Sequence, residues 1–442
     1  MNNTPKKTGI SLLSMIFLCL NGIVGSGLFL LPGQVAQLVG NWGLVVYLMV
    51  ALIVLSIGWC YAQCASNFTK NGGAYLYAKE AFGTFVGFEI GIMRWFVGMI
   101  AWAALTAGFL VALGSVYPVV LLAPYKQIII VGVIAALSVM NSFGARIVNK
   151  LSNIITVTKG LLLLFFILFG IFAMDFSELS FNPMHFPTAA SLGLSAFIIF
   201  FAFSGFEALP VVAQETDNPR KNIPIAMMTA IVFSSILYFV VQSICIGTLG
   251  DALKQSTSPI GDIAELLGGN LGKFLVSCAM LISIGGVIIV SSFVTPRSFS
   301  ALAADHVLFS KANRENRFGA PWVAIAVSGL ISCVIALTGS FVELVVISAV
   351  SRFSQHITTC AALFVMNKRG LMNSFSSPWK KAIPCFALAS MAWLLSYAEI
   401  YQLLYGFAAL FLGIPLYYIQ TKIAQRSKAL ESVYIQNNQV IT

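Results

Sequence analysis

The sequence predicts an all-α integral membrane fold with twelve transmembrane helices. Three observations carry that prediction: the composition, the number of apolar runs and the placement of basic residues. Of 442 residues, 59% are hydrophobic and only 9% are charged, with a mean hydropathy of +0.91. A soluble domain carries about 25% charged residues, so a water-soluble fold is excluded. Twelve apolar stretches reach or approach the roughly 20 residues a helix needs to cross a bilayer. They lie at 10–33, 41–65, 82–112, 126–143, 151–174, 190–213, 225–249, 272–303, 321–338, 341–366, 382–398 and 400–420. Eighteen of the 25 Lys and Arg residues fall in the two tails and the loops on their side, and four fall within spans. Only Lys126, Lys254 and Lys273 fall on the opposite side, Lys126 and Lys273 at the outer edges of spans four and eight. Basic residues collect on the cytoplasmic side, so both termini, with Lys6 and Lys7 at the start, are expected there. The net charge of +10 is then a result of topology, and no soluble basic face exists to bind nucleic acid.

Taken in order, span one (10–33) contains Asn-Gly-Ile-Val-Gly-Ser-Gly-Leu-Phe from Asn21 to Phe29, a glycine-rich interruption near its middle. It is too long for a cleaved signal peptide and lacks a small-residue cleavage site, so it is expected to stay as a helix. Span two (41–65) holds Cys60 and Cys64 on one helix face, read as buried apolar residues. None of the eight cysteines shows C-x-x-C or Cys/His metal spacing. Span three (82–112) carries Glu89 and Arg94, span five (151–174) carries Lys159, and spans four, nine and eleven are the short ones. Span six (190–213) is interrupted by Phe-Ala-Phe-Ser-Gly-Phe-Glu at 201–207. Span seven (225–249) follows, and span eight (272–303) contains Thr295-Pro296-Arg297 near its end. Span ten (341–366) carries Arg352 and His356, to which no role is assigned, and a tail at 421–442 follows span twelve. Loops are short, so the chain reads as one polytopic domain.

Both interruptions matter chemically. In lipid an unwound backbone is tolerable only where it is buried in protein or lines a cavity. Two broken spans at corresponding positions of two halves point to a transporter's substrate site. The breaks lie five spans apart, which suits two inverted five-helix repeats at about 10–174 and 190–366, with spans eleven and twelve (about 382–420) appended.

Four motifs make the reading more specific. Gly25-Ser26-Gly27-Leu28-Phe29 resembles the helix 1 signature of the amino acid–polyamine–organocation superfamily. Gly72-Gly73-Ala74-Tyr75-Leu76-Tyr77 with Ala81-Phe82-Gly83 is similar to its first cytoplasmic loop. Phe201 to Glu207, followed by Glu215, Asn218-Pro219-Arg220 and Ile223-Pro224, is similar to its helix 6 and the next loop. Thr295-Pro296-Arg297 and Ala301 to Asp305 match its helix 8 end. The resemblance implies a LeuT-like fold and transport of amino acids or related amines, by proton symport or by exchange.

At the first break, backbone N–H groups around Gly25, Ser26 and Gly27 and the positive end of the outer half-helix suit a carboxylate. Carbonyls around Ile23 and Val24, and those near Phe201 to Phe203 beside Ser204 and Gly205, suit an ammonium. The alternative is a glycine hinge or a small-residue helix contact without ligand. Phe201, Phe203 and Phe206 are near enough to line or gate the pocket, or to pack ordinarily.

Ionisable residues at bilayer depth are functional candidates. The resemblance implies that Lys159 stands where sodium-driven relatives hold their ion, between helices 1, 5 and 8, so that it exchanges a proton; otherwise it is a structural cation bonded to helix 1. Ser291 and Ser292 are its expected neighbours. Glu207 is implied in gating or proton response, or in reading a cationic side chain. Glu89 and Arg94 depart from the superfamily pattern and either meet the substrate side chain or are structural. Arg297 and Asp305, with Glu215, are expected in a cytoplasmic gate or loop-anchoring network.

The leading expectation is a proton-driven secondary transporter of amino acids in a cell inner membrane, whose other partners are protons and lipid. The alternative is an amino acid/amine exchanger. No H-E-x-x-H, G-x-S-x-G or Walker motif occurs, so neither an enzyme nor an ATP-driven pump is expected, nor a cofactor.

Overall fold

Glycines and prolines decide where the apolar runs divide into separate helices. The computed structural model describes residues 9–180, 186–339, 341–372 and 381–439; Lys6, Lys7 and Lys380, counted above in the charge asymmetry, lie outside them. Fourteen α-helices occur among the described residues. They are α1 (Leu12–Ile23), α2 (Gly27–Val39), α3 (Gly43–Ala65), α4 (Ala74–Phe82), α5 (Thr84–Val116), α6 (Tyr125–Ser142) and α7 (Ala145–Ala173). The second half has α8 (Ala189–Ala202), α9 (Pro219–Leu249), α10 (Pro259–Asp305), α11 (Trp322–Thr338), α12 (Phe341–Lys368), α13 (Ala382–Leu395) and α14 (Ile400–Gln439). Backbone groups in a bilayer must be paired internally, and helices do so within each segment.

Eight helical stretches among the described residues are long and apolar enough to cross a membrane, while Leu12–Ile23, Trp322–Thr338 and Ala382–Leu395 are apolar but shorter. Both expected breaks are present. Span one divides into α1 and α2, because Val24 leaves the helix at φ −78° and ψ 93°. Span six ends as α8 at Ala202, and Gly205 at φ 127° turns the chain into a 3-10 helix over Phe206–Glu215.

Helical structure extends beyond the expected spans in three places. Residues 74–81, placed before span three, form with Phe82 the helix α4, which starts after the positive-φ Gly73 and stops at Gly83 with φ 94°. A helical stretch from Pro259 precedes span eight within α10 and is set off from it by a kink at Gly268 and Gly269, the latter at φ 57°, so the part after the kink begins close to the expected 272. The expected tail from 421 is helical as far as Gln439, as a continuation of α14, since no glycine or proline interrupts residues 416–439.

The packing places the breaks centrally. α10 packs against α5 and α7, α1 against α9 and α7, α2 against α8, and α12 against α5. Behind the first break, the Asn21 amide donates to Ser152 Oγ of α7 at 3.0 Å. A Cβ on Gly286 of α10 would fall 2.1 Å from Asn21 Oδ1, so only glycine lets α10 come this close. At one end of the bundle the chain start joins the segment after the second break: Ile10 N–H donates to Glu215 O at 2.7 Å, and Asp217 N–H to Ile10 O at 3.0 Å.

Candidate functional site

A cavity of about 110 Å³ lies between the two broken helices, α5, α10 and α12. Its wall includes Ile23, Gly25, Ser26 and Gly27 from the first break and Phe201, Ser204, Gly205 and Glu207 from the second. The N–H groups of Gly25 and Ser26 have no backbone acceptor among the described residues. Unpaired donors at a helix start form an anion site. The Gly27 backbone sits so near α8 that a Cβ there would lie 3.0 Å from Ala202 Cβ, which keeps the two breaks together.

Tyr238 of α9 ties them further. Its hydroxyl lies 3.0 Å from the Ile23 carbonyl and 2.9 Å from the Ala202 carbonyl. One hydroxyl proton serves two acceptors, so each carbonyl keeps lone-pair capacity. The sequence reading did not single out Tyr238; a single tyrosine inside span seven was the available signal.

Acid and base meet at Glu207, which is 2% exposed. Its Oε2 accepts the Gly205 N–H at 2.7 Å, while Oε1 lies 2.5 Å from Arg352 Nη1 and 3.6 Å from Arg94 Nη1. Arg94 and Arg352 both line the cavity. The Nε atoms of both arginines are buried without a hydrogen-bond partner. Arg94 also lies 3.5 Å from Gln355 Oε1, and Arg352 donates to Ser348 Oγ at 3.3 Å. Arg352, left without a role by the sequence, therefore belongs to the wall. Glu89 does not: it is buried, its two carboxylate oxygens have no partner, and it packs where a Cβ on Gly413 of α14 would stand.

Lys159 is 3% exposed and donates to the Val24 carbonyl at 2.8 Å. The second donor to that carbonyl is Ser283 Oγ of α10 at 3.0 Å, rather than either serine named from the sequence. Ser291 lines the cavity, and Ser292 meets Asn141. The ammonium and Ser283 thus occupy Val24, which lies off the cavity wall. Phe203 also lies off it, because its backbone at φ −86° and ψ −4° continues the helical turn. That turns the ring onto Tyr238, with centroids 4.9 Å apart. Phe206 stacks on His356, with centroids 5.6 Å apart.

The buried Arg297 pairs with the half-buried Glu215, and Arg297 Nη1 also donates to the Phe293 carbonyl at 2.9 Å. Asp305 is not in that network. It pairs instead with Lys79 at 2.7 Å and accepts from Tyr75 Oη at 2.6 Å, since α4 brings both side chains to the end of α10.

Comparison with known proteins gives the family of the chain. The family model described as "Amino acid permease" matches residues 10–424. An uncharacterised transporter of Mycobacterium tuberculosis is 27% identical over 380 residues, covering 80% of this chain and 79% of its own. The branched-chain amino acid permease BcaP of Bacillus subtilis is 24% identical over 442 residues, covering 94% and 93% respectively. The putrescine transporter PotE of Escherichia coli is 26% identical over 438 residues, covering 93% and 96%.

Proposed function

Because the chain belongs to the amino acid permease family, we propose that it is a secondary active transporter carrying amino acids by alternating access, driven by protons. The observation that carries this reading is the cavity walled by two unwound helices, with unpaired Gly25 and Ser26 amides on one side. Those donors receive the α-carboxylate. The remaining lone pairs of the Ile23 and Ala202 carbonyls receive the α-ammonium, so a zwitterion is read as a unit.

The topology proposed with it is twelve spans, with inverted repeats at about 10–174 and 190–366 and two further spans at about 382–420. The Lys/Arg asymmetry supports cytoplasmic termini in a cell inner membrane. Lys159 is the proton site in this reading. Its ammonium and Ser283 both donate to Val24 O at the joint of the first break. Deprotonation removes that charge-assisted bond and frees the joint to move. Glu207 is the gate at the second break, where it holds the Gly205 N–H.

The test is uptake of labelled amino acids into proteoliposomes, with an inward proton gradient and empty lumen, then with a preloaded lumen and no gradient. Accumulation into empty vesicles, lost in Lys159→Ala, is expected. Uptake only into preloaded vesicles makes the protein an exchanger and reduces Lys159 to a structural charge.

A further inference from the structure

We infer that the cavity takes an amino acid with a second anionic group, of the class of aspartate and glutamate, read by Arg94 and Arg352. This rests on the transport reading above and names the substrate class of the same site. Two guanidinium groups face the cavity against one carboxylate, Glu207. Among the described residues no other acidic side chain lines it, and Glu89 packs instead against α14.

Glu207 is committed mainly to Arg352, at 2.5 Å, and to the Gly205 N–H. Arg94 is left 3.6 Å from the shared oxygen, with only a 3.5 Å contact to Gln355 and a partnerless Nε, although it is 7% exposed. A buried guanidinium so weakly paired is costly in a low dielectric, and charges at bilayer depth mark substrate sites. Lys159 sits behind the break with no carboxylate partner and adds to the positive excess when protonated.

Charge then decides among amino acids. The α-carboxylate and α-ammonium cancel each other, so a neutral amino acid leaves the excess untouched. A lysine or a diamine increases it. An acidic amino acid at neutral pH brings one negative charge and neutralises it. The planar fork of arginine fits a carboxylate with two parallel donors, and Arg94 has donors to spare.

The experiment uses the full-length chain in proteoliposomes preloaded with aspartate, glutamate, leucine, lysine or putrescine, each measured for exchange with the same labelled compound. Counterflow of this kind needs no knowledge of the coupling ion. Aspartate or glutamate is expected to exchange at least about tenfold faster than the others. Arg94→Gln, checked for wild-type elution on size exclusion, should lower the acidic-to-neutral ratio by about tenfold or more, as loss of a buried charge partner does. Arg94→Lys should restore part of that ratio. Exchange of leucine, lysine or putrescine in preference to the acids overturns the charge inference while the transport reading stands, as does an unchanged ratio in Arg94→Gln. Exchange of none of the five overturns both.

Discussion

Gly205 stands so close to Gly22 that a Cβ on Gly205 would lie 2.5 Å from the Gly22 carbonyl oxygen. The two breaks therefore touch through backbone alone, at a residue whose φ of 127° already favours glycine. Gly205→Ala must push α1 away from the second break or twist its own backbone. Because ångström-scale misplacement of binding groups costs about a hundredfold in rate, transport should fall by that order. Uptake assays beside melting curves check it: wild-type uptake in Gly205→Ala would mean that the contact is dispensable.

Tyr238 offers a milder probe of the same joint. Its hydroxyl is shared between the Ile23 and Ala202 carbonyls, one from each break. Tyr238→Phe keeps the ring packed against Phe203 and removes only the shared proton. A net hydrogen bond contributes about 1 kcal/mol, so a small drop in melting temperature is expected. The larger effect should be a raised KM, because both carbonyls then lose their fixed orientation. An unchanged KM would place Tyr238 in packing alone.

The positions of the breaks were legible because glycine is the residue that permits them, and a glycine cluster inside an apolar run is visible in one dimension. The cations were visible too, since Arg94, Lys159 and Arg352 stand out within spans. What the sequence could not supply was pairing. Arg352 meets Glu207 because α12 packs against α5 and an arginine from each helix reaches the second break, an adjacency no spacing encodes. Phe203 was misplaced because the direction of a side chain at a helix end depends on one more turn of backbone, which a list of aromatics does not contain. Asp305 was grouped with Glu215 by proximity to Arg297 in sequence, but α4, read as loop, supplies its actual partners.

Ser283 separates the hydrogen bond from the charge at Val24. Ser283→Ala leaves Lys159 bonded to the carbonyl and removes the neutral donor. Gradient-driven uptake should fall by about fivefold, the equivalent of about 1 kcal/mol, and accumulation should persist. Lys159→Ala should abolish accumulation. Equal effects of the two substitutions would argue that the joint needs two donors rather than a proton.

The two ion pairs near the C-terminal end of α10 should differ sharply in what they contribute. The Lys79–Asp305 pair has side chains about one-third exposed, at 33% and 35%, and exposed pairs contribute about 0–1 kcal/mol. Arg297 is 1% exposed, holds Glu215, donates to the Phe293 carbonyl and lies over the Phe293 ring, 3.6 Å from its centroid. The backbone of Glu215 also accepts from Ile10 N–H, so the pair braces the place where the chain start meets the end of the second broken span. Removing one member of a fully buried pair costs about 3–5 kcal/mol, and with Glu215 20% exposed this pair lies below that limit but well above the Lys79 pair. Arg297→Ala should therefore lower the melting temperature far more than Lys79→Ala, and should expose the segment around residue 10 to protease. Comparable melting shifts, or an undisturbed chain start, would mean that the Arg297 pair braces nothing.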